Sequence, residues 1–221
     1  MDITWHGHAN FTVKGSNATV AIDPFDQSIG LKRPKLKADV LLISHDHPDH
    51  NEVAAVTGAA DEAPYLIDRP GEYESHGVMI DGIPTYHDEQ EGAERGRNTV
   101  YSFMVDGIHL VHLGDLGHQL DEATVERLGN VDILMVPVGG TFTITAKGAV
   151  EVIKRLQPRV VIPMHYAVPG VKLPKKIDPL DAFLKEAGSK VTTLDKATWK
   201  IKSKDLPTED SEIVVFPDPA T

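Results

Sequence analysis

The sequence predicts an α/β fold in one domain spanning residues 1–221. Three observations carry this reading. Short strand-like pieces separated by Gly and Asn turns fill the first half, three helix-strand alternations fill the second, and His and Asp residues recur just past the apolar strands. Strand ends at one edge of a sheet layer are where such folds build sites.

Taken in order, Ile3 to His6, Asn10 to Lys14 and Ala18 to Ile22 read as an antiparallel meander, broken at Gly7 and at Gly15-Ser16-Asn17. His6 and His8 flank Gly7 and read as satisfied surface or core histidines. The third strand ends in Asp23-Pro24, either an ordinary turn or a carboxylate placed to orient a ligating histidine. The basic cluster Lys32 to Lys37 reads as a solvated loop, and Val40-Leu41-Leu42-Ile43 as a buried strand. Asn51 to Thr57 reads as a short helix closed by Gly58. Tyr65 to Ile67 and Val78 to Ile80 read as strands, with turns at Pro70-Gly71 and Asp81-Gly82. Ile83 to Tyr86 then runs into His87, and Asp88 to Asn98 reads as a polar loop.

Thr99 to Val105 and Ile108 to Leu113 form a hairpin around Asp106-Gly107, a strong two-residue turn signal. Ile108, Leu110 and His112 share a face, which makes His112 a core imidazole or a support for a ligand. Asp121 caps a helix to about Leu128, followed by the strand Ile133 to Val136. Ala149, Val152, Ile153 and Leu156 lie on one helical face before Val160 to Ile162. Asp178 reads as the cap of a third helix, with Pro179 at its first position and Gly188 at its stop. Val191 to Leu194 is expected to pair with Thr198 to Lys202. Gly139 and Gly140 would let backbone N–H groups approach a ligand, and residues 205–221 read as an acidic, partly ordered tail.

Composition narrows the function. There are 22 Lys and Arg against 33 Asp and Glu, a net charge of −11. Long nucleic acid requires a phosphate-neutralising face, so this balance argues against it. No basic-then-apolar leader opens the sequence and no apolar run approaches a membrane span. Without cysteine there is neither disulfide nor thiolate metal site, which fits cytoplasmic residence. A homo-oligomer is compatible with all of this.

The chemistry concentrates in Ser44-His45-Asp46-His47-Pro48-Asp49-His50, where a buried strand delivers three imidazoles and two carboxylates to its own end. The pattern His-x-His-x-Asp-His marks His45, His47, Asp49 and His50 as metal ligands. Imidazole and carboxylate suit zinc, iron and manganese, and no thiolate biases the choice towards soft metals. One ion cannot take all four from so short a loop, whereas two ions roughly 3.5–4 Å apart can share them if more ligands come from elsewhere. His87, Asp115 and His165, each just past an apolar strand, complete seven.

These motifs, in the order Asp23, His45-x-His47-x-Asp49-His50, His87, Gly114-Asp115 and Met164-His165-Tyr166, resemble the metallo-β-lactamase superfamily of dinuclear metallohydrolases. The resemblance implies a four-layer αββα sandwich. It also implies that His45, His47 and His87 hold one ion, that Asp49, His50 and His165 hold the other, that Asp115 bridges them, and that Asp23 supports the ligands. Two zinc ions lead the expectation, with manganese or iron as alternatives. Trp5-His6-Gly7-His8-Ala9 and His112-Leu113-Gly114-Asp115-Leu116-Gly117 look most like the branch of L-ascorbate-6-phosphate lactonase and related small bacterial hydrolases. The lack of any cysteine sets the chain apart from the thiolate-containing lactamases.

The expected activity is attack by a metal-bridging hydroxide, available near neutral pH because bound water has a pKa of about 7, on an ester, lactone or phosphoester of a small, anionic substrate. Asp49 and Asp115 would orient the nucleophile, while Arg95, Arg97, Asn98, His118 and Tyr166 are candidates for substrate contact. A diiron redox protein on the same ligands is the alternative, as is a phosphodiesterase or nuclease.

Overall fold

In the computed structural model, which describes residues 1–58 and 62–219, β1 (Asp2–Gly7), β2 (Asn10–Lys14) and β3 (Thr19–Ile22) form the antiparallel meander. After β4 (Leu36–Lys37), the buried strand β5 (Val40–Leu42) joins β3 in parallel. β6 (Val56–Thr57) pairs with β4 in a separate ladder, and β7 (Tyr65–Ile67) lies parallel to β5. Residues 51–57 are therefore not a helix. Val53–Ala55 is a single 3-10 turn, and Val56, β-branched and opposite Leu36, extends instead of coiling.

The second sheet begins with β8 (Gly71–Ser75) and β9 (Val78–Tyr86), joined by His76-Gly77 with both residues at positive φ, as a tight hairpin turn requires. Asp81-Gly82 is not a turn but lies inside β9, because it has partners on both sides: Asp81 faces Glu72 and Ser102, and Gly82 faces Gly71 and Tyr101. Pro84 sits past the end of β8, where its missing N–H removes no bond to that strand. β10 (Arg97–Val105) and β11 (Ile108–His112) make the hairpin, with Asp106 and Gly107 both at positive φ.

Two parallel crossovers follow. α1 (Glu122–Leu128), capped by Asp121 through the Thr124 N–H, leads to β12 (Ile133–Pro137), and α2 (Ala146–Leu156), capped by Thr145, leads to β13 (Val160–Met164). α3 (Leu180–Ala187) starts one residue later than expected, with Pro179 at the cap and no side-chain cap bond. Asp178 is engaged differently: its N–H donates to Gly139 and its carbonyl accepts from Ala167.

β14 (Lys190–Thr193) and β15 (Thr198–Lys200) do not pair with each other. β15 takes the free edge of β1, placing Trp199 opposite Ile3, while β14 lies beside β16 (Glu212–Val215). The stretch expected to be an acidic tail thus contributes an internal strand between β13 and β14, because Ile213, Val214, Val215 and Phe216 form an apolar run that the core buries.

The sheet orders are β15-β1-β2-β3-β5-β7 and β14-β16-β13-β12-β11-β10-β9-β8. Phe11, Val13 and Ile22 from the first and Phe103, Val105 and Leu110 from the second share one core. Every residue of β12 and β13 is buried, as strands covered on both faces must be. Over the six-stranded sheet the outer layer is the β4/β6 ladder and the 3-10 turn, which pack Leu36, Ala55 and Val56 against Ala21, Leu41 and Ile43. This α/β sandwich therefore has a fourth layer in which a short ladder stands where a helix was expected. Among the described residues no helix is long and apolar enough to cross a membrane.

Two links pin the sheets together beneath the His-rich loop. The buried Tyr101 hydroxyl on β10 lies 2.8 Å from the Ile43 carbonyl and 3.0 Å from that of Ile67, and the Thr99 N–H donates to Ser44.

Candidate metal centre

The strand ends converge. Asp23 follows β3, His45 to His50 follow β5, His87 follows β9, Asp115 lies past β11, His165 follows β13, and all seven expected ligand residues fall within three adjoining groups of donor atoms. His45, His47 and His87 form one, Asp49, His50 and His165 are joined by His8 in the second, and His45, His50 and Asp115 lie between. Within the loop, the N–H of His47 donates to the His45 carbonyl and those of His50 and Asn51 to the His47 carbonyl, a tight coil that turns the ligand side chains inward.

Asp115 is the hub. Its oxygens stand 3.2 Å from Nε2 of both His87 and His165, 3.4 Å from that of His50 and 4.0 Å from that of His45. Nε2 of His45 and of His50 and Oδ1 of Asp115 are buried with no hydrogen-bond partner among the described residues. Donors sharing one tetrahedral zinc at 2.0–2.1 Å lie about 3.3–3.4 Å apart, so the spacing suits donors arranged around cations. Buried polar atoms rarely go unpaired, and these orphaned atoms fit a metal.

Asp23 holds two of the expected ligand imidazoles, His50 directly and His45 through Ser44, from behind. It is fully buried at positive φ and accepts the Ser44 N–H at 2.7 Å, the Ser44 hydroxyl at 2.6 Å and the His50 Nδ1–H at 3.0 Å. Because that hydroxyl donates to Asp23, it accepts from Nδ1 of His45, 2.8 Å away. Both rings thus carry their proton on Nδ1 and turn Nε2 inward. His112 is a structural imidazole with both nitrogens engaged: Nε2 donates to the Ala9 carbonyl and Nδ1 accepts the Gly114 N–H. Gly114 itself adopts φ +56, and a Cβ there would lie 2.3 Å from Oδ1 of Asn98.

The electrostatics call for positive charge. Burial opposes ionisation of Asp115, yet His165 and His50 hold it well below the usual carboxylate range; burial likewise opposes charge on His50, but Asp115 and Asp49 raise it well above an ordinary histidine. Asp23 and Asp49 are also lowered against their burial, chiefly by His50. Burial and His50 push His45 well down, and burial and His87 lower His47. Three carboxylates held in the ionised form thus crowd one interior site, a cluster of negative charge of the kind that interiors tolerate only with compensation.

The candidates for substrate contact divide. Arg95 lines a cavity of about 510 Å³ whose floor is His47, Asp49, His87 and Asp115. Lys172, Ile29, Phe142 and Leu173 line it too, as does Glu94, whose carboxylate lies 3.6 Å from the Arg95 guanidinium, and the sequence reading had none of these five. Arg97 lines a neighbouring groove behind His45 and His47. Asn98 is not free for substrate: it is buried, its amide donates to Thr85 and Leu113, and its carbonyl holds the Asp115 N–H at 2.9 Å. Tyr166 is packed against Trp5 and buried, and both nitrogens of His118 are engaged, by the Tyr86 N–H and the Gln119 carbonyl. Gly139 admits protein instead of ligand: a Cβ would lie 2.2 Å from the His165 carbonyl, which accepts the Gly139 N–H.

His8 departs furthest from expectation. It is buried inside the centre, with Nε2 3.1 Å from Oδ2 of Asp49. Burial and the nearby His165 lower it to about 4, against the pull of Asp49, so its ring is neutral. His6 does conform, with Nε2 3.0 Å from Thr12 Oγ1. The signal available for His8 was its position one residue past a strand, beside a turn glycine.

The loop carrying Arg95 is organised by Asp88. Oδ1 accepts from the N–H groups of Gln90 and Gly92, and Oδ2 from those of Glu94 and Arg95, at 2.7–3.0 Å. These bonds overcome burial and hold the carboxyl at about 2. Asp88→Asn replaces one acceptor with a donor and breaks two of the four bonds; hydrogen exchange at residues 90–95 is expected to speed up markedly. Unchanged exchange would refute the assignment.

This site and fold have counterparts. Residues 2–165 match the family model of the beta-lactamase superfamily domain. The chain belongs to the metallo-β-lactamase superfamily. Within it, the chain is 34% identical over 218 residues to a UPF0173 metal-dependent hydrolase of Thermococcus onnurineus, covering 88% of this chain and 95% of that one. It is 31% identical over 215 residues to another of that name from Pyrococcus abyssi, covering 86% and 93%. Among solved structures, a Thermotoga maritima protein assigned to this superfamily as a Zn-dependent hydrolase superposes with a TM-score of 0.78 at 39% identity, covering 97% and 98%. By this kinship the protein is a metal-dependent hydrolase of the metallo-β-lactamase superfamily.

Proposed function

We propose that this metal-dependent hydrolase works with two divalent cations, zinc foremost, on an ester, lactone or phosphoester bond of a small substrate carrying an anionic group. The observation that supports it most is the placement of Asp115, whose carboxylate lies 3.2 Å both from His87, in one group of donors, and from His165, in the other. His45, His47 and His87 would hold one cation, and Asp49, His50 and His165 the other, with Asp115 shared. When bound, the cations would acidify a water to supply the nucleophile and stabilise the oxygen that gains charge.

The protein's own groups do the rest. Asp23 fixes the tautomers of His50 and, through Ser44, of His45, so that lone pairs face inward without reorganisation. Ile29, Phe142 and Leu173 exclude water from one side of the cavity and offer an apolar wall, while Arg95 and Lys172 offer cations to an anion at its rim. A substrate with an apolar body and one negative group fits both.

The test is to load the protein with zinc, count ions per chain by elemental analysis, and assay matched esters, lactones and phosphoesters with and without a remote carboxylate. Two ions per chain and a several-fold lower KM for the anionic member of each pair are expected. One ion per chain would reject the dinuclear reading, and equal KM values would reject the anionic one.

A further inference from the structure

We propose that His8 is itself a ligand of the second cation, joining Asp49, His50 and His165. The inference rests on the dinuclear reading above and adds to it a side chain from the end of β1, where none of the other seven residues lies. A ring nitrogen of His8 belongs to a group in which one donor atom from each of His8, Asp49, His50 and His165 lies within 4.8 Å of all the others. The ring sits 4.0 Å from that of His165 and 5.0 Å from that of His50, centroid to centroid. The separation of 3.1 Å between Nε2 and Oδ2 of Asp49 suits a hydrogen bond, and equally two neighbouring donors on one ion.

What separates these accounts is the other nitrogen. A histidine used structurally in this protein, His112, satisfies both ring nitrogens. His8 leaves Nδ1 buried without a partner among the described residues and aims Nε2 at a carboxylate, the pattern that His87 and His165 show around Asp115. The backbone is arranged to hold this ring in place. His8 takes the left-handed conformation at φ 54 and His165 does so at φ 52, and the His8 carbonyl accepts the His165 N–H at 3.1 Å and the Trp5 indole N–H at 3.0 Å. The ends of β1 and β13 are thereby fastened together with their imidazoles adjacent.

One consequence is an asymmetry between the positions. The first has His45, His47, His87 and Asp115, a set that suits four-coordinate zinc. The second has His8, Asp49, His50, His165 and Asp115, five protein donors, and suits an ion of higher coordination number such as manganese or iron.

The deciding comparison is Zn2+ binding, by calorimetry and chelator competition, to wild type, His8→Gln and His8→Ala. Apo melting temperatures would confirm that each variant folds. Gln keeps an N–H donor where Nε2 stands, so it preserves a hydrogen bond to Asp49 but removes an imidazole lone pair. Loss of a ligand should weaken the second equivalent by at least about a hundredfold in both variants, beyond the range typical of lost outer partners. Wild-type affinity in His8→Gln would overturn the proposal and leave His8 as a hydrogen-bond donor, and His8→Gln alone decides this if His8→Ala does not fold. Should wild type bind a single Zn2+, the dinuclear reading fails separately. Ligation by His8 then survives only if that one site weakens in both variants, and is overturned if it does not.

Discussion

Asp115→Asn is expected to lower hydrolytic turnover by on the order of a thousandfold, the scale on which one misplaced charge in a preorganised site acts. The substitution is nearly isosteric, and the backbone at this position stays anchored by the Asn98 carbonyl accepting the residue 115 N–H. What disappears is the negative charge facing His45, His50, His87 and His165 at 3.2–4.0 Å. An amide has one oxygen for a place that two cations would share, and its NH2 turns a donor toward whichever cation it faces. Zinc content should drop from two ions per chain to one or fewer, and the rise in melting temperature on adding zinc should shrink accordingly. Elemental analysis, thermal melts and turnover measured on the same preparation check all three. Full zinc content with unchanged turnover would remove Asp115 from the centre.

Asp23→Asn is expected to weaken zinc binding by roughly 10- to 100-fold without touching a ligand. Asn tolerates the positive φ of this position as well as Asp does, so the backbone has no reason to move. The damage is in the pairing. Asp23 takes three donors on two oxygens, and Asn offers one oxygen while setting an N–H against the Ser44 or His50 donor. His50 and, through Ser44, His45 then lose the partner that keeps the Nδ1 proton in place. Calorimetry with zinc should show both equivalents affected, since the two rings belong to different groups of donors. Weakening of neither would show that Asp23 merely completes a turn.

The α/β class and the convergence of strand ends were legible because each rests on local pattern. Apolar runs bounded by turns mark the strands, and a His or Asp placed just past one must emerge at the sheet edge. The seven side chains from His45 to His165 are of this kind. Pattern failed where a residue's role depends on its partners. Asp81-Gly82 has the chemistry of a turn but sits between two strands that claim both its edges. The strands around Val191 and Thr198 are close in sequence yet are captured by different sheets, because Glu212–Val215 and β1 each offer an edge to pair with. Asn98 and Tyr166 are polar residues near ligands, but residue type does not say which way a side chain points. Both point into the protein. Lys172 and Phe142 reach the cavity from loops whose sequence carries no motif, and His8 was a lone imidazole until the ends of β1 and β13 met.

The insertion of β16 between β13 and β14 sets an order of events during synthesis. β13 delivers His165, and one of its edges stays bare until the ribosome has made the chain through Val215. The pairing is confined to Val160 and Val161, at the far end of the strand from His165, so a nascent chain stalled before that point would present an open, adhesive strand while the cation cradle is already held by β12 and the His8 carbonyl. Chaperone dependence, more than metal uptake, should accordingly change when the Ile213–Phe216 run is weakened.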